Sequence, residues 1–280
     1  MSFLTIPLRL ELTEGASAPV PKSAHPALSF LFAALTAGLA LAPARADDAK
    51  ATSAGVRGVV ELFTSQGCAS CPPAEAMLAR YAAAGTGIVA LAYHVDYWDY
   101  IGWQDTLGSR RNVERQKDYV KGLRLGALAT PQAVVNGAAA VPGGDAAAIE
   151  ARLAAEPIPT GPAAPEVRLA REGDTLHIFA RLGEGDRDAS PRVLILVTYV
   201  AEARTEVLRG ENKGQRLVST HAVRDWRVVG TLTGEPMRVD MPIGLLADPD
   251  GLRSGGAALL QTVGSHDRPG RILAAAAIDF

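Results

Sequence analysis

Apolar runs alternate with helix-like segments in the first half of the chain. Gly58–Phe63 and Ile88–Tyr93 are almost continuously apolar, a pattern typical of strands buried on both faces of a sheet. Pro72–Tyr81 lies between them and predicts a helix, because prolines are tolerated in a first helical turn, where the N–H has no partner. This half therefore begins with a strand, a helix and a second strand.

A second helix, a hairpin and a third helix are predicted before residue 156. Ser109–Lys121 is a charged, helix-like segment. Asn136-Gly137 separates two short apolar runs, which is a strong hairpin signal. Asp145 precedes an alanine-rich segment ending near Ala155 and predicts a capped helix.

Strand patterns dominate the second half of the chain. Pro157–Pro165 is proline-rich and predicts a stiff linker. Apolar strand candidates follow it at Val167–Leu169, Thr175–Ala180, Val193–Val200, Trp226–Val229, Met237–Met241, Ala257–Val263 and Ile272–Ile278. This spacing predicts an all-β, sandwich-like domain. Arg209–Arg216 is polar and charged, and we interpret it as a turn between two strands.

The N-terminal residues have the pattern of an export signal. Ala27–Ala42 is uncharged and apolar, and Ala44-Arg45-Ala46 provides the small residues of a cleavage site. The apolar stretch is slightly short for a membrane span. We therefore expect residues 1–46 to be a signal peptide, with an uncleaved anchor as the alternative, and the protein to be periplasmic or secreted without stable membrane insertion after cleavage. The formal net charge of −2 gives no electrostatic reason to expect nucleic-acid binding.

The two cysteines of the chain, Cys68 and Cys71, form a Cys-x-x-Cys motif between the first strand and the first helix. A helix N-terminus carries free N–H groups and a partial positive charge, which stabilise a thiolate. We therefore predict a redox-active pair in which Cys68 attacks and Cys71 resolves the mixed disulfide. This chemistry requires the Cys68 sulfur to be reachable by solvent.

Other interpretations of the pair remain open. A structural bridge would contribute only roughly 2 kcal/mol, because it closes a loop of about four residues. A copper-binding or metal-delivery module could use both thiolates with His94, since soft sulfur ligands favour Cu(I). A non-catalytic binding protein would not need the thiols at all. No metal site is assigned, and no cofactor is expected beyond the Cys68–Cys71 disulfide.

Two further regions supply candidate partners for the thiols. Glu61 lies on the strand that enters the motif and, if buried, could accept the proton of Cys71. The loop from His94 to Asp105 follows the second strand, and the alternation of a strand could place His94 and Asp96 on one face. We therefore expect Glu61, His94 and Asp96 to be the proton or pKa partners of the dithiol. The aromatic residues in the same loop suit a groove for a peptide substrate, and they include Trp98 and Trp103.

The element order resembles the thioredoxin fold, with the cysteines at the start of the first helix and a proline opening the third strand. The resemblance implies that Thr130–Pro131 is a cis peptide bond beside the dithiol, where the main chain positions a substrate. We therefore expect an α/β thioredoxin-like domain over residues 47–156, followed by a smaller all-β sandwich-like domain over residues 166–280.

Three longer strings resemble the motifs of one family. Val59–Ala74, Ala92–Asp99 with Gly102-Trp103, and Thr130–Gly137 are similar to those of an uncharacterised group of exported bacterial thioredoxin-like proteins, domain of unknown function 1223. The resemblance covers most of the chain after residue 46. It implies a fold and a candidate dithiol, but no substrate.

We therefore predict an exported thiol–disulfide oxidoreductase that acts on protein or small-thiol disulfides. Its partners would be a thiol or disulfide protein substrate, or a redox partner in the membrane or periplasm.

Overall fold

The computed structural model describes residues 49–185, 190–252 and 254–280. The predicted signal peptide, residues 1–46, lies outside the described residues. Within the described ranges, no helix combines the length and the apolar character needed to cross a lipid bilayer.

Strands make up most of the regular structure in these ranges. The three α-helices are α1 (Cys71–Ala82), α2 (Arg110–Gly122) and α3 (Ala146–Ala155). The strands are β1 (Lys50–Thr52), β2 (Gly58–Thr64), β3 (Ile88–His94), β4 (Gln132–Val135), β5 (Ala139–Pro142), β6 (Glu166–Glu172), β7 (Thr175–Arg181), β8 (Arg192–Glu206), β9 (Arg216–Leu232), β10 (Met237–Pro242), β11 (Ser254–Val263) and β12 (Pro269–Asp279).

The local predictions for residues 58–156 are confirmed element by element. The strands and helices occur in the expected order from β2 to α3. Asn136 and Gly137 both have positive φ, and the Ala138 N–H donates to the Val135 oxygen at 2.9 Å, as in a tight turn with two left-handed central residues. The Asp145 side chain accepts a hydrogen bond from the Ala148 N–H at 2.9 Å and caps α3.

The strands form two sheets. A four-stranded sheet has the order β1-β6-β7-β10, and an eight-stranded sheet has the order β12-β11-β8-β9-β3-β2-β4-β5. In the larger sheet β2 and β3 are parallel, with Thr64 opposite His94 at their carboxyl ends. β3 also pairs in parallel with β9 at Ala92 and Ala222, so strands from both halves of the sequence share one sheet.

The fold class predicted from the sequence is therefore wrong. The described chain is mostly β, with two large sheets, and it is not an α/β thioredoxin-like domain followed by a smaller sandwich. The reason is the pairing of β3 with β9, which joins β2–β5 to β8, β11 and β12. Apolar patterns reveal that a strand is buried, but they do not reveal which distant strand lies beside it.

Three layers of side chains hold the sheets and helices together. α1 and α3 bury Leu78 and Ile149 against one face of β2, β3 and β4, and α2 buries Val113 and Tyr119 against the opposite face. The four-stranded sheet packs residues such as Ile178 on Leu194 and neighbouring side chains of the larger sheet. Ile158, in the predicted linker, is buried in the same cluster as α2.

Candidate site around a buried disulfide

The site is built where β2 ends and α1 begins. Cys68 and Cys71 form a disulfide with a Cα–Cα distance of 5.4 Å, and Cys71 is the first residue of α1. Ala69 and Ser70 are exposed, and the Ser70 hydroxyl lies 3.5 Å from Cys68 Sγ. The cysteines themselves are 1% and 0% exposed. The solvent-reachable sulfur expected from the sequence is therefore covered in this structure.

Trp98 lies beside the dithiol turn and is hydrogen-bonded to the residue before Pro131. The Thr130–Pro131 peptide bond is cis. The Trp98 indole donates a hydrogen bond to the Thr130 hydroxyl at 2.6 Å. A Cβ added at Gly67 would come within 3.2 Å of the Trp98 Cβ, so the main chain before Cys68 packs closely on Trp98. The structure thus brings together three of the regions that the sequence singled out.

Trp103 supports the residue two positions before Cys68. Its indole N–H donates to the Gln66 side-chain oxygen at 3.0 Å. The Gln66 amide group in turn donates to the Thr205 hydroxyl at 3.1 Å, at the end of β8. Trp103 is half-buried and fixes this main chain from the side of the His94–Asp105 loop.

Glu61 lies away from the face of β2 that carries α1. Its carboxylate accepts a hydrogen bond from Arg115 Nε at 2.7 Å and another from the Tyr119 hydroxyl. Gln261 completes this buried group by donating to the Tyr119 oxygen at 2.8 Å. Burial is the largest effect and lowers the pKa of Arg115, but the Glu61 carboxylate together with Tyr119 and Tyr93 outweighs it and raises that pKa well above its usual range. Glu61 is thus paired with a permanent cation on the α2 side.

Glu75 is the buried carboxylate that the sequence analysis missed. It follows Cys71 by one turn of α1, and both side chains are on the buried stripe of that helix. The Glu75 carboxylate accepts hydrogen bonds from the Thr64 hydroxyl at 2.9 Å and the Ser219 hydroxyl at 2.6 Å. Glu75 is only 5% exposed.

His94 connects Glu75 to a second buried carboxylate, Asp105. His94 Nδ1 lies 2.9 Å from Asp105 Oδ2, and Nε2 lies 3.8 Å from Glu75 Oε2. Burial is the largest effect and lowers the pKa of His94, but the charges of Asp105 and Glu75 together outweigh it and raise the pKa to about 9. His94 is therefore a fully buried imidazolium at neutral pH.

Asp105, and not Asp96, is the aspartate that pairs with His94. Burial raises the pKa of Asp105, but the His94 charge and N–H bonds from Gln66 and Leu107 outweigh burial and lower it. Asp96 instead lies 4.0 Å from the Arg110 guanidinium. The expected sharing of a face by His94 and Asp96 does not produce a contact between them in the described structure.

The segment between β8 and β9 completes the site from the second half of the chain. Asn212 is 1% exposed, and its side-chain NH₂ donates to the carbonyl oxygens of Gln66 and Cys68 at 2.9 and 3.0 Å. The Glu211 carboxylate accepts the Ala69 N–H at 3.3 Å. The turn predicted at Arg209–Arg216 is present, but its contact with the dithiol was not foreseen.

Among the described residues, no group of three or more His, Cys, Asp or Glu side chains is arranged to hold a metal ion. His94, the third ligand considered for copper, is occupied by its two carboxylate neighbours.

Comparison with known proteins places the chain in a family. The profile described as "Protein of unknown function (DUF1223)" matches residues 59–255, which includes the dithiol, the His94–Asp105 loop and Asn212. The chain belongs to the DUF1223 family.

Two solved structures are similar to this DUF1223 protein. Protein AGR_C_4864 from Agrobacterium tumefaciens is 35% identical, with 79% of this chain and 93% of that chain covered and a TM-score of 0.67. HBP35 of Porphyromonas gingivalis is 15% identical, with coverage of 80% and 74% and a TM-score of 0.55, which is a likeness of fold alone. No curated protein matches the chain significantly.

Three site residues of this DUF1223 protein were not predicted from the sequence, and they differ in how clearly a sequence pattern indicates them: Glu75, Asp105 and Asn212. Glu75 stands four residues after Cys71 in a predicted helix, so a helical projection places them on one face. Asp105 lies in the loop already singled out, and only its spacing from His94 was misjudged. Asn212 is separated from Cys68 by more than half of the described chain, and its turn-like surroundings carry no sign of the contact.

Proposed function

We propose that this protein is a thiol–disulfide oxidoreductase that uses Cys68 and Cys71. The observation that supports this proposal is the disulfide at the first turn of α1, one turn from a buried carboxylate. The N–H groups of a helix N-terminus stabilise a thiolate. Pro131 is the proposed substrate-positioning residue, together with Thr130. Export is proposed on the basis of residues 1–46 alone.

The proposed exchange transfers two electrons between the dithiol and a substrate disulfide. The Cys68 thiolate attacks one sulfur of the substrate, forms a mixed disulfide and releases the first substrate thiolate. Cys71 then loses its proton, attacks Cys68 Sγ and expels the second substrate thiolate. The substrate disulfide is reduced to two thiols, and Cys68 and Cys71 are oxidised to the disulfide.

We assign the proton of Cys71 to Glu75 in this scheme. Glu75 is the buried carboxylate on the same face of α1, and the hydroxyls of Thr64 and Ser219 hold it in place. The carboxylate accepts the proton when Cys71 attacks and returns it to the departing thiolate or to water. The His94 charge, 3.8 Å from Glu75, keeps the cluster from holding two uncompensated carboxylates.

A structural bridge is the second candidate, and the burial of both cysteines favours it. A redox titration in glutathione buffers, with alkylation of free thiols as the readout, separates the two functions. An exchange-active pair should be half reduced at a potential of about −270 mV or higher. A pair that stays oxidised below about −300 mV would identify a structural bridge.

A further inference from the structure

The segment Val207–Gln215, here called the cover loop, lies against the dithiol turn, whose disulfide is buried although the two residues between its cysteines are exposed. Ala69 and Ser70 are exposed, yet Cys68 is only 1% exposed. The cover loop is bonded to the main chain on both sides of the Cys68 side chain, through Asn212 and Glu211. A segment from the far half of the chain therefore holds the main chain of Cys68 and Ala69 from one side.

Asn212 is the principal anchor of the cover loop. Its NH₂ group donates to two carbonyl oxygens, those of Gln66 and Cys68. The Gln215 side chain donates to Asn212 Oδ1 at 3.0 Å, which fixes the orientation of the amide. The second anchor is weaker, because the 3.3 Å bond between Glu211 and the Ala69 N–H lies at the surface.

The cover loop is closed on itself by main-chain hydrogen bonds at its base. The Val207 N–H donates to the Gln215 oxygen at 3.0 Å, and the Gly214 N–H donates to the Val207 oxygen at 2.7 Å. Gly210 and Gly214 have positive φ, a conformation that glycine adopts without steric cost. Release of the loop from the dithiol therefore breaks the bonds of Asn212 and Glu211 without breaking the bonds at its own base.

We propose that Asn212 is a specificity-determining residue, which holds the cover loop over Cys68 so that small thiols and disulfides reach the sulfur more readily than polypeptides do. The inference rests on the proposed exchange function and names its substrate class as low-molecular-weight thiol compounds. A polypeptide partner has to displace the cover loop before its sulfur can line up with the disulfide, whereas a small thiol needs a much smaller opening.

The test compares the rates at which two dithiols of different size reduce the oxidised protein. Dithiothreitol is the small reagent and a synthetic peptide with two cysteines is the large one. In the Asn212→Ala variant the peptide rate should rise by up to about thirtyfold, since two hydrogen bonds of about 1 kcal/mol each are removed. The dithiothreitol rate should rise much less. Lys213→Ala is the matched control, because Lys213 is exposed in the same loop and makes neither anchoring bond.

The Glu211→Ala variant, which removes the acceptor of the Ala69 N–H, keeps the test informative if Asn212→Ala folds poorly, which thermal unfolding of the oxidised protein would reveal. Glu211 is exposed, and its replacement should raise the peptide rate in the same direction by a smaller factor. An unchanged ratio of the peptide rate to the dithiothreitol rate in both folded variants would overturn the proposal, whether the two rates stay the same or rise by an equal factor. The glutathione titration tests the exchange function separately, since it measures an equilibrium and the reagent comparison measures rates.

Discussion

Two buried glutamates near β2 differ in what neutralises them. Glu61 faces α2 and is bonded to Arg115, a group that carries its charge at every ordinary pH. Glu75 lies on the α1 side, where two hydroxyls donate to it and the nearest cation is His94 at 3.8 Å. A guanidinium keeps its charge at every ordinary pH, whereas an imidazolium loses its charge as the pH rises. The comparison teaches that burial alone does not single out a proton acceptor.

Replacement of Arg115 should have the largest effect, a fall in the free energy of unfolding. The Arg115→Met variant leaves Glu61 buried without its cation, and the free energy of unfolding should fall by about 3–5 kcal/mol. Urea denaturation of the oxidised protein measures it. Arg57→Met is the control, because the Arg57–Glu150 pair is about half exposed and should contribute about 0–1 kcal/mol. Equal losses in the two variants would contradict the structural role given to the Glu61 side.

A rise in pH should lower the free energy of unfolding through His94, the cation beside Glu75. The pKa of His94 is raised from 6.5 to about 9 in the folded protein. A raised pKa stabilises the fold fully below the unfolded value, and this contribution is lost as the pH rises through the folded value. The free energy of unfolding should therefore fall by up to roughly 3 kcal/mol between pH 6.5 and about 9.5.

Urea denaturation at several pH values measures this loss, with His94→Gln as the reference. The variant has no group to titrate at that position, so its stability should be much less sensitive over the same interval. A wild-type curve as flat as that of the variant would mean that His94 is not charged in the fold.

Replacement of Glu75 should have the smallest effect in free energy, a slower rate of thiol–disulfide exchange. The Glu75→Gln variant should slow the attack of Cys71 by about tenfold or more, because an amide replaces the proposed proton acceptor. Reaction of the reduced protein with a coloured aromatic disulfide measures it. Release of the first aromatic thiolate from the reagent reports the attack of Cys68, and release of the second reports the resolution of the mixed disulfide by Cys71. Only the second phase should slow, and its rate should recover at high pH.

Glu61→Gln is the matched control for this experiment, since it replaces the other buried glutamate by the same amide. It should cost stability and leave both kinetic phases unchanged. A slower second phase in Glu61→Gln, with none in Glu75→Gln, would return the proton-accepting role to the strand residue.

Sequence patterns predicted the elements of this protein better than their arrangement. The apolar run of β3 predicted a central strand, and Asn136-Gly137 predicted the β4–β5 turn, since both depend on neighbouring residues. The pairing of β3 with β9 depends on residues far apart. It could not be predicted from a single chain, and the expected thioredoxin-like class failed at this point.

The candidate site follows the same division. Cys68 and Cys71 are recognisable from their spacing and from the helix that follows them. The direction of a side chain on a strand was harder to predict, because alternate residues face opposite layers. Glu61 was therefore placed near the dithiol when it faces α2. Asn212 and Ser219 enter the site only through tertiary packing.

The pairing of β3 with β9 also has a consequence for biogenesis. During synthesis the Cys68–Cys71 segment leaves the ribosome well before Ala222, the β9 residue that pairs with β3. Until the later strands are synthesised, one side of β3 has unpaired main-chain groups, and the dithiol turn lacks its contacts with Asn212. Long-range pairings of this kind slow folding. The nascent protein therefore has a period in which oxidants and chaperones can reach two sulfurs that are buried in the folded protein.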